Sequence, residues 1–368
     1  MGLRYPRRES PSRYGGYYVA MPSRKPVSAA PARRTRATGR VTLADVAQAA
    51  GVSPITVSRA LRGERAVAQE LCERVQAAAA ALGYVPDPAA RALASSRSSH
   101  VAVLIPKLSN TLFVELLDAV QNSLVPAGYQ TLIGVTHYDA AEEEAVLRSF
   151  LAHRPAGLIV TGSDRSEAAV AMIEGSGVPC VRVMEVGEEA GGHSVGFSQR
   201  DAGRAITQQL LDSGRRHIAY VAAQLDPRTL ERGEGYEAAL VEAGLGGRVN
   251  KVLSAEPSSM ALGGALLERV LREAPDTDAI FFCNDDLAQG ALLAALRLGI
   301  AVPGKLAVAG FNDLPGSDQM VPPLTTVATP RREIGEQAAQ MLMKLMRGQP
   351  VETPHLDLGF RVVRRASS

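Results

Sequence analysis

From residue 100 to its last residue, the sequence alternates apolar runs of strand length with longer amphipathic stretches of helical periodicity. The predicted strands are Val101–Pro106, Tyr129–Val135, Gly157–Thr161, Cys180–Met184, Ser194–Phe197, His217–Ala222, Ala279–Cys283 and Leu306–Phe311. The predicted helices between them include Phe113–Ala127, Asp201–Ser213 and Leu287–Leu298. Such alternation predicts a doubly wound parallel sheet. Because about 270 residues are too many for one simple sheet, we predict an α/β core of two doubly wound parallel-sheet lobes over residues 100–368.

The charge of the chain is divided unevenly along its length. Residues 1–99 contain 16 Lys and Arg against 6 Asp and Glu, whereas residues 100–368 contain 24 against 32. A basic head on an acidic body indicates that the head meets a polyanion. Residues 1–40 are rich in Pro, Ser, Arg and Gly, and we predict a disordered basic extension there, with Met1 or Met21 as the start. A basic tail without a specific partner is the alternative.

Composition and motifs exclude several other classes of protein. The three cysteines, Cys72, Cys180 and Cys283, have no CxxC spacing, so neither a disulfide framework nor a thiolate metal site is indicated. The sequence shows no run of 18 apolar residues and no secretory signal, so we expect a cytoplasmic protein without membrane contact. The six histidines lack metal-ligand spacing, and no GxxxxGKS/T, GxSxG, HExxH or post-strand GxGxxG motif occurs. We therefore expect no metal, no cofactor and no catalytic residue.

Three short helices are predicted within residues 41–87. Thr42 is a suitable N-cap for the first helix, which Gly51 ends. Ser53 caps a second helix that has Pro54 in its first position. A third helix follows over Gln69–Leu82. Two short helices joined so closely are typical of a helix-turn-helix, whose second helix enters the major groove of DNA. A plain three-helix bundle is the alternative.

The second predicted helix carries the candidate DNA-binding side chains on the side away from its apolar face. We expect Arg59 to bind guanine and Ile55 to contact a thymine methyl group. Thr56 and Ser58 would bond to phosphate. The full predicted DNA-binding set in this part of the chain is Thr42, Ser53, Pro54, Ile55, Thr56, Ser58 and Arg59. Residues 88–99 follow as a linker that can become a short helix, with Leu93 as its single large apolar residue.

Polar side chains follow five of the predicted strands, where open α/β sheets bind their ligands. They are Lys107, Ser109, Asn110, Ser198, Gln199, Asp226, Arg228, Asn284, Asp285, Asp286, Asn312 and Asp313. Asn and Asp together supply the donors and acceptors that sugar hydroxyls need, and Arg228 and Arg232 can pair with a carboxylate or phosphate. Alternatively, such residues serve only as loop and cap residues. Asp285 or Asp313 could act as a general base, but the sequence marks no nucleophile or metal beside either.

Residues 41–61 read Val-Thr-Leu-Ala-Asp-Val-Ala-Gln-Ala-Ala-Gly-Val-Ser-Pro-Ile-Thr-Val-Ser-Arg-Ala-Leu and resemble the N-terminal signature of the lactose/galactose-repressor family. The resemblance continues through Tyr84-Val-Pro86, Ala-Ala-Arg-Ala-Leu-Ala (89–94), Val-Leu-Ile-Pro (103–106), Cys-Asn-Asp-Asp (283–286) and Pro-Leu-Thr-Thr-Val (323–327). It implies a helix-turn-helix head at 41–87, a hinge helix at 88–99 and a periplasmic-binding-protein-like core at 100–368. It further implies a cytoplasmic homodimer or tetramer that exchanges palindromic operator DNA for a small metabolite.

The same resemblance implies roles for single residues. Leu93 matches a hinge leucine that wedges into the minor groove, and Arg91 of this hinge joins the DNA-binding set. Arg232, followed by Gly235 and Tyr236, matches an Arg-x-x-Gly-aromatic motif whose arginine holds the effector. The implied effector-binding set is Ser109, Asn110, Phe113, Phe197, Ser198, Arg228, Arg232, Asn284, Asn312 and Asp313. Position 312 is often Asp in the family, so Asn312 departs from the usual pattern.

Three segments are similar to repressors of gluconate-utilisation genes: residues 225–236, His217-Ile-Ala-Tyr and Leu356-Asp-Leu-Gly-Phe. We therefore expect a repressor of such genes that gluconate releases from its operator. A ketogluconate, 6-phosphogluconate or a neutral sugar is the alternative effector. Two other classes stay open, since a sugar-binding transport protein shares the two-lobed core and an α/β enzyme would turn over a sugar acid. The transport protein would have no use for residues 41–99.

Overall fold

The computed structural model describes residues 41–61, 67–85, 98–187 and 192–368. Between residues 87 and 88 the chain divides into two compact units. We call the described residues up to 85 the head and those from 98 onward the core. The predicted extension (1–40) and most of the predicted hinge, including Arg91 and Leu93, lie outside the described residues.

The head is built from three helices around a small apolar cluster. They are α1 (Leu43–Ala50), α2 (Pro54–Leu61) and α3 (Gln69–Leu82). Each helix contributes one fully buried valine, namely Val46, Val57 and Val75, and small alanines fill the space between them. Because the cluster is so small, the head depends on well-formed helix ends as well as on burial.

The caps predicted for α1 and α2 are present. The Thr42 hydroxyl accepts a bond from the Asp45 backbone N–H, and the Asp45 carboxylate accepts one from the Thr42 N–H. These bonds favour the charged carboxylate and lower the pKa of Asp45. The Ser53 hydroxyl accepts a bond from the Thr56 N–H at 3.2 Å. By contrast, α3 starts after Ala68 without a side-chain cap.

The core consists of strands and helices that alternate over most of its length. The strands are β1 (His100–Ile105), β2 (Gln130–Val135), β3 (Gly157–Thr161), β4 (Cys180–Val183), β5 (Ser194–Gly196), β6 (Ile218–Ala223), β7 (Asn250–Ser254), β8 (Ala279–Phe282), β9 (Ala307–Ala309), β10 (Thr326–Ala328), β11 (His355–Asp357) and β12 (Arg361–Val363). The helices are α4 (Leu112–Leu124), α5 (Ala140–Ala152), α6 (Glu167–Ser176), α7 (Gln199–Asp212), α8 (Pro227–Glu242), α9 (Met260–Glu273), α10 (Asp285–Arg297) and α11 (Arg331–Met346). Short 3-10 helices lie at Val125–Ala127, Gly246–Arg248 and Ser317–Gln319.

These elements form two lobes, each on its own parallel sheet. The first lobe has the strand order β11-β5-β4-β3-β1-β2, and the second lobe has the order β7-β6-β8-β9. Strands β10 and β12 form a separate antiparallel pair. The chain crosses between the lobes after β5, before α11 and between β11 and β12. The last crossing is needed because β11 joins the first sheet, where it pairs with β5.

Burial on both faces explains why the strands read as continuous apolar runs. In β1, Val101, Val103 and Ile105 belong to the large cluster that also contains α4 and α11 residues. The intervening Ala102 and Leu104 belong to a second cluster with residues of α5 and α6. Helices therefore cover both faces of the first sheet.

The prediction of two parallel α/β lobes is confirmed, and the predicted strands differ from the observed ones by a few residues at their ends. Four strands were not predicted: β7, β10, β11 and β12. Three of these, β10, β11 and β12, have only three residues each. Across the described ranges, no helix is long and apolar enough to cross a membrane.

Candidate functional site

The exposed side of α2 carries the predicted DNA-binding residues. Its exposed side chains are those of Pro54, Ile55 and Arg59, and those of Thr56 and Ser58 are half-buried. Ile55 is 66% exposed, whereas Val57 is fully buried on the opposite face. The Ile55 side chain is therefore available for contact with a partner, together with the polar side chains beside it.

The two predicted cap residues are already engaged within the head. The Thr42 hydroxyl donates to Asp45 Oδ2 at 2.8 Å, in addition to accepting from the backbone. The Ser53 and Thr56 hydroxyl oxygens are 2.8 Å apart. Any bond from these hydroxyls to a phosphate would therefore share an oxygen that also fixes a helix start.

A cavity of about 310 Å³ lies between the two lobes of the core. The first lobe lines it with Lys107, Ser109, Asn110, Thr111, Leu112, Phe113, Tyr138 and Met184. The second lobe lines it with Gln224, Asp226, Arg228, Arg232, Ser258, Met260, Asn284, Asp286, Gln289, Leu314 and Pro315. Most of these residues follow strands β1, β2, β6 and β8, which is the expected ligand edge of a parallel sheet.

Arg232 of α8 is held by several groups at once. Its Nε donates to Gln199 Oε1 at 2.8 Å, and its Nη1 donates to the Cys283 carbonyl at 2.7 Å and to Asn284 Oδ1 at 3.2 Å. The guanidinium carbon lies 4.0 Å from the centre of the Phe311 ring, a cation–π contact. The side chain is therefore fixed before any ligand arrives.

Arg228, one turn earlier on α8, is buried among carboxylates. Its Nε lies 3.3 Å from Asp226 Oδ1, and its Nη1 lies 3.8 Å from Asp164 Oδ1. Burial alone would lower the pKa of Arg228, but Asp226 and Asp164 outweigh it and the pKa is raised. The guanidinium therefore stays charged at the cavity wall.

Asn284, which precedes α10, connects Arg232 to a second amide. Its Oδ1 accepts bonds from Arg232 Nη1 and from Asn312 Nδ2, both at 3.2 Å, and its Nδ2 lies 3.5 Å from Ser258 Oγ. An amide fixed in this way presents a defined donor and acceptor to a ligand hydroxyl.

The two candidate general bases do not line the cavity. Asp285 is fully buried, and its carboxylate accepts bonds from the Thr326 and Ser317 hydroxyls and the Leu314 N–H. Burial raises the pKa of Asp285 to about 6, although these hydrogen bonds oppose the shift. Asp313 is paired with Arg365 at 2.8 Å. Both carboxylates hold the fold together.

Asp286, the next residue on α10, does line the cavity. Its Oδ1 accepts bonds from Ser258 Oγ at 2.7 Å and from the Leu287 N–H at 2.9 Å. Burial raises the pKa of Asp286, while these two hydrogen bonds and, more weakly, the charge of Lys107 from the first lobe oppose that shift. This end of the cavity therefore combines one carboxylate with one ammonium group.

Tyr138 enters the cavity from the loop after β2. Its backbone has a positive φ of 60°, which points to a constrained turn. Burial raises the pKa of Tyr138 to about 12, and the charge of Asp226 adds to the shift. The phenol therefore remains an O–H donor at neutral pH.

The cavity brings together six of the ten predicted effector-binding residues. They are Ser109, Asn110, Phe113, Arg228, Arg232 and Asn284. Phe197, Ser198, Asn312 and Asp313 do not line it.

Each of these four has another place in the fold. Phe197 is fully buried and stacks on Phe311. The Ser198 hydroxyl caps α7. Asn312 is buried behind Asn284, and Asp313 pairs with Arg365.

Several lining residues were not in the predicted set, notably Lys107, Tyr138, Asp226, Ser258, Asp286 and Gln289. Lys107, Asp226 and Asp286 were recognised at strand ends but were not placed in the set. Tyr138 could have been found by applying the strand-end rule to β2 as well. Ser258 and Gln289 carry no signal of this kind. Within the described residues, no group of three or more His, Cys, Asp or Glu could hold a metal ion.

Comparison with known proteins links both units to one group. Residues 42–87 match the family described as bacterial regulatory proteins, lacI family, and residues 207–368 match the periplasmic binding protein-like domain. The chain is 53% identical to the HTH-type transcriptional regulator GntR of Pseudomonas aeruginosa over 336 residues, which cover 91% of this chain and 98% of that protein.

Two solved structures extend the comparison. The transcription regulator GntR from Chromobacterium violaceum is 48% identical, with a TM-score of 0.71, over 73% of this chain and 99% of that one. The lac repressor dimer bound to operator and the anti-inducer ONPF is 27% identical, with a TM-score of 0.79, over 89% of this chain and 99% of that one.

Proposed function

The chain belongs to the lacI family of bacterial regulatory proteins, and from this premise we propose that it represses sugar-acid utilisation genes until a small sugar acid such as gluconate releases it from DNA. Like its relatives, the chain is a DNA-binding transcriptional regulator and not an enzyme. The observation that carries the choice of effector is the cavity wall, where two buried arginines stand beside amide and carboxylate groups. Arginine suits a carboxylate, and the other groups suit hydroxyls.

On the DNA side, α2 enters the major groove as a recognition helix. Arg59 reads a guanine and Ile55 a thymine methyl group, while Thr56, Ser58 and the α1 cap Thr42 contact the backbone. Ser53 and Pro54 set the start of this helix. Two copies bind a pseudo-palindrome as a cytoplasmic homodimer, supported by the likeness to the lac repressor dimer on its operator.

On the ligand side, Arg228 and Arg232 of the second lobe are the candidates for binding the acid group, and the first lobe closes over the hydroxyl chain. Asn284 and Asp286 bind hydroxyls from one wall, and Ser109 and Asn110 bind them from the other. Because Phe197, Ser198, Asn312 and Asp313 do not line the cavity, they act through the packing and hydrogen bonds of the residues that they contact. A ketogluconate or a phosphorylated acid is the competing effector, since each carries the same carboxylate.

Coupling between ligand and DNA runs through the difference in affinity between two states of the core. A ligand can shift such an equilibrium only by its differential affinity, typically about 1 to 3 kcal/mol. We propose that closure of the lobes disfavours the paired hinge segments, where Leu93 acts as the minor-groove wedge and Arg91 contacts DNA. Derepression by this route is graded.

Fluorescence anisotropy tests the proposal, using the full chain and a pool of palindromic fragments from its own genome, with and without gluconate. We expect tight binding to a few fragments, reversed by millimolar gluconate. Tight binding that gluconate does not affect would contradict the effector. Equal binding to every fragment, fading steeply with salt, would contradict specific recognition by α2.

A further inference from the structure

Arg228 is a buried cation of the cavity wall with one donor left unfilled. It is 5% exposed, and within the described residues its Nη1 has no hydrogen-bond partner. An unfilled donor on a buried charge is costly unless a ligand completes it. The Arg228 side chain reaches the first lobe at Gly162. A Cβ on this glycine would overlap Nη1 of Arg228, and the backbone φ of Gly162 is +74°. The fold therefore leaves room for this guanidinium at a position that only glycine fits well.

Two carboxylates stand beside Arg228, and they differ in how firmly they are held. Asp226 caps α8, because its two oxygens accept bonds from the Thr229 N–H and hydroxyl. Asp164 of the first lobe is 35% exposed and lies 3.8 Å from Nη1, beyond hydrogen-bond distance. Glu185 adds a weaker negative field. An incoming carboxylate can therefore replace Asp164 but not Asp226.

Arg232, the arginine of the family motif, offers a contrast. Its Nε and Nη1 donate to Gln199, Cys283 and Asn284, which are all uncharged acceptors. These bonds orient Asn284 toward the cavity. Arg232 is thus a positioning residue for the hydroxyl-binding amide.

We propose that the acid group of the ligand binds Nη1 of Arg228 and displaces Asp164, so that one contact between the lobes is exchanged for a contact to the ligand. The inference rests on the proposed function and names the site of the carboxylate within it. The Tyr138 hydroxyl, which has no hydrogen-bond partner among the described residues, donates to the same acid group. Lys107 acts on the carboxylate of Asp286, whose pKa it lowers, and takes no part in binding the acid group.

Isothermal titration of the full chain tests this exchange, with D-gluconate and its neutral six-carbon relative D-glucitol as probes. Arg228→Gln should raise the Kd for gluconate by about 10- to 100-fold, the usual range for a bond to a charged group. Asp164→Asn should lower that Kd by about 3- to 10-fold, because a competing charge is removed. Neither change should alter glucitol binding by more than about twofold.

The double variant decides between exchange and a merely structural role. With Arg228→Gln in place, Asp164→Asn should no longer improve gluconate binding, because the donor it frees is absent. If glucitol binds too weakly to measure, this cycle on gluconate decides alone. If Arg228→Gln does not fold, Arg228→Lys keeps a charge beside Asp226 and should still raise the Kd about tenfold.

Two control variants test the other cations of the cavity wall, Arg232 and Lys107. Arg232→Gln should weaken gluconate and glucitol by similar factors, because it releases Asn284. Lys107→Gln should leave the preference for gluconate over glucitol in place. The proposal is overturned if Asp164→Asn fails to tighten gluconate binding or tightens it equally without Arg228, or if Lys107→Gln abolishes the preference. Absence of gluconate binding to the unaltered chain would instead contradict the proposed effector itself.

Discussion

The two walls of the cavity are held in different ways. On the second lobe, Arg232 and Asn284 are bound to their own lobe at 2.7 to 3.2 Å. On the first lobe, Lys107 and Tyr138 come from loops and have no hydrogen-bond partner among the described residues. A wall fixed in advance costs little ordering entropy when a ligand binds, whereas a loose wall must be ordered by it. The second lobe therefore sets the pose of a ligand, and the first lobe responds to it.

Helix contacts within the core differ in how closely the backbones approach. In the second lobe, α7 meets α8 at Gly203 and Gly235, where a Cβ would overlap the backbone of the facing helix. In the first lobe, α11 also meets α4 closely at Gly335, whereas Gly175 of α6 has open space where its Cβ would be. The rigid wall thus stands on tightly packed helices.

The largest effect on stability that we expect comes from placing a methyl group in the close contact between α7 and α8. Gly235→Ala should place a methyl group against the Arg200 carbonyl and lower the free energy of unfolding by about 3 kcal/mol or more, because two backbones must separate. The control Gly175→Ala should instead raise it by about 0.5 to 1 kcal/mol, as in an unobstructed helix. Urea denaturation of both variants measures the difference. Equal effects at the two glycines would contradict the close backbone contact between α7 and α8 at Gly235.

The second prediction concerns the cost of a buried carboxylate behind the rigid wall. Since the folded pKa of Asp285 is about 6 against an ordinary value of 3.8, the folded chain keeps a proton that the unfolded chain has lost between these values. The free energy of unfolding should therefore fall as pH rises from about 4 to 6, by at most about 3 kcal/mol from this group, and then level off.

Denaturation of Asp285→Asn across this pH range isolates the effect. The variant should lose stability overall, because its amide nitrogen faces the donors at Thr326, Ser317 or Leu314. Its free energy of unfolding should also no longer show the fall between about pH 4 and 6 that Asp285 contributes. An unchanged slope would mean that other acids account for it.

The third prediction compares one asparagine from each wall. Asn284→Ala should cost about 1 to 3 kcal/mol of stability, because Arg232 and Asn312 lose an acceptor, and should weaken gluconate binding about tenfold. Within the described residues the Asn110 side chain accepts one bond, from the Leu112 N–H, so Asn110→Ala should change stability by about 0.5 kcal/mol or less and weaken binding only about threefold. Calorimetry and denaturation of the pair measure both quantities. A larger stability loss at Asn110 would reverse the assignment of rigid and responsive walls.

Sequence reasoning located the strands of the core well where both faces of a strand are buried. The run Gly157–Thr161, for example, is fully buried and was predicted to the residue. Strands β10 and β12 were missed because they form a separate antiparallel pair across more than 30 positions of sequence, outside the alternation of strands and helices. In the head, side-chain caps at Thr42 and Ser53 and the glycine at 51 are local signals, so α1 and α2 could be predicted from short windows.

The candidate site was predicted less completely, for a physical reason. The rule that ligands bind at strand ends found Asn110, Arg228 and Asn284, which lie at the cavity. It misplaced Phe197 and Ser198, because the chain crosses to the second lobe directly after β5 and buries the ring instead. Which strand ends face the cavity depends on where the chain crosses between lobes, and no periodicity in the sequence records those crossings.

The smallest effect we expect is on the responsive wall. Tyr138→Phe removes one hydroxyl that has no partner in the described protein, so the free energy of unfolding should stay within about 0.5 kcal/mol. If this hydroxyl donates to the ligand acid, the Kd for gluconate should rise about 3- to 10-fold, the usual range for a single hydrogen bond. Binding should be unaffected by pH between 6 and 9, because a pKa near 12 keeps the phenol protonated there. A change in the Kd for gluconate that appears only above pH 8 would mean that the phenolate forms there. The Tyr138 side chain would then be less buried than the structure shows.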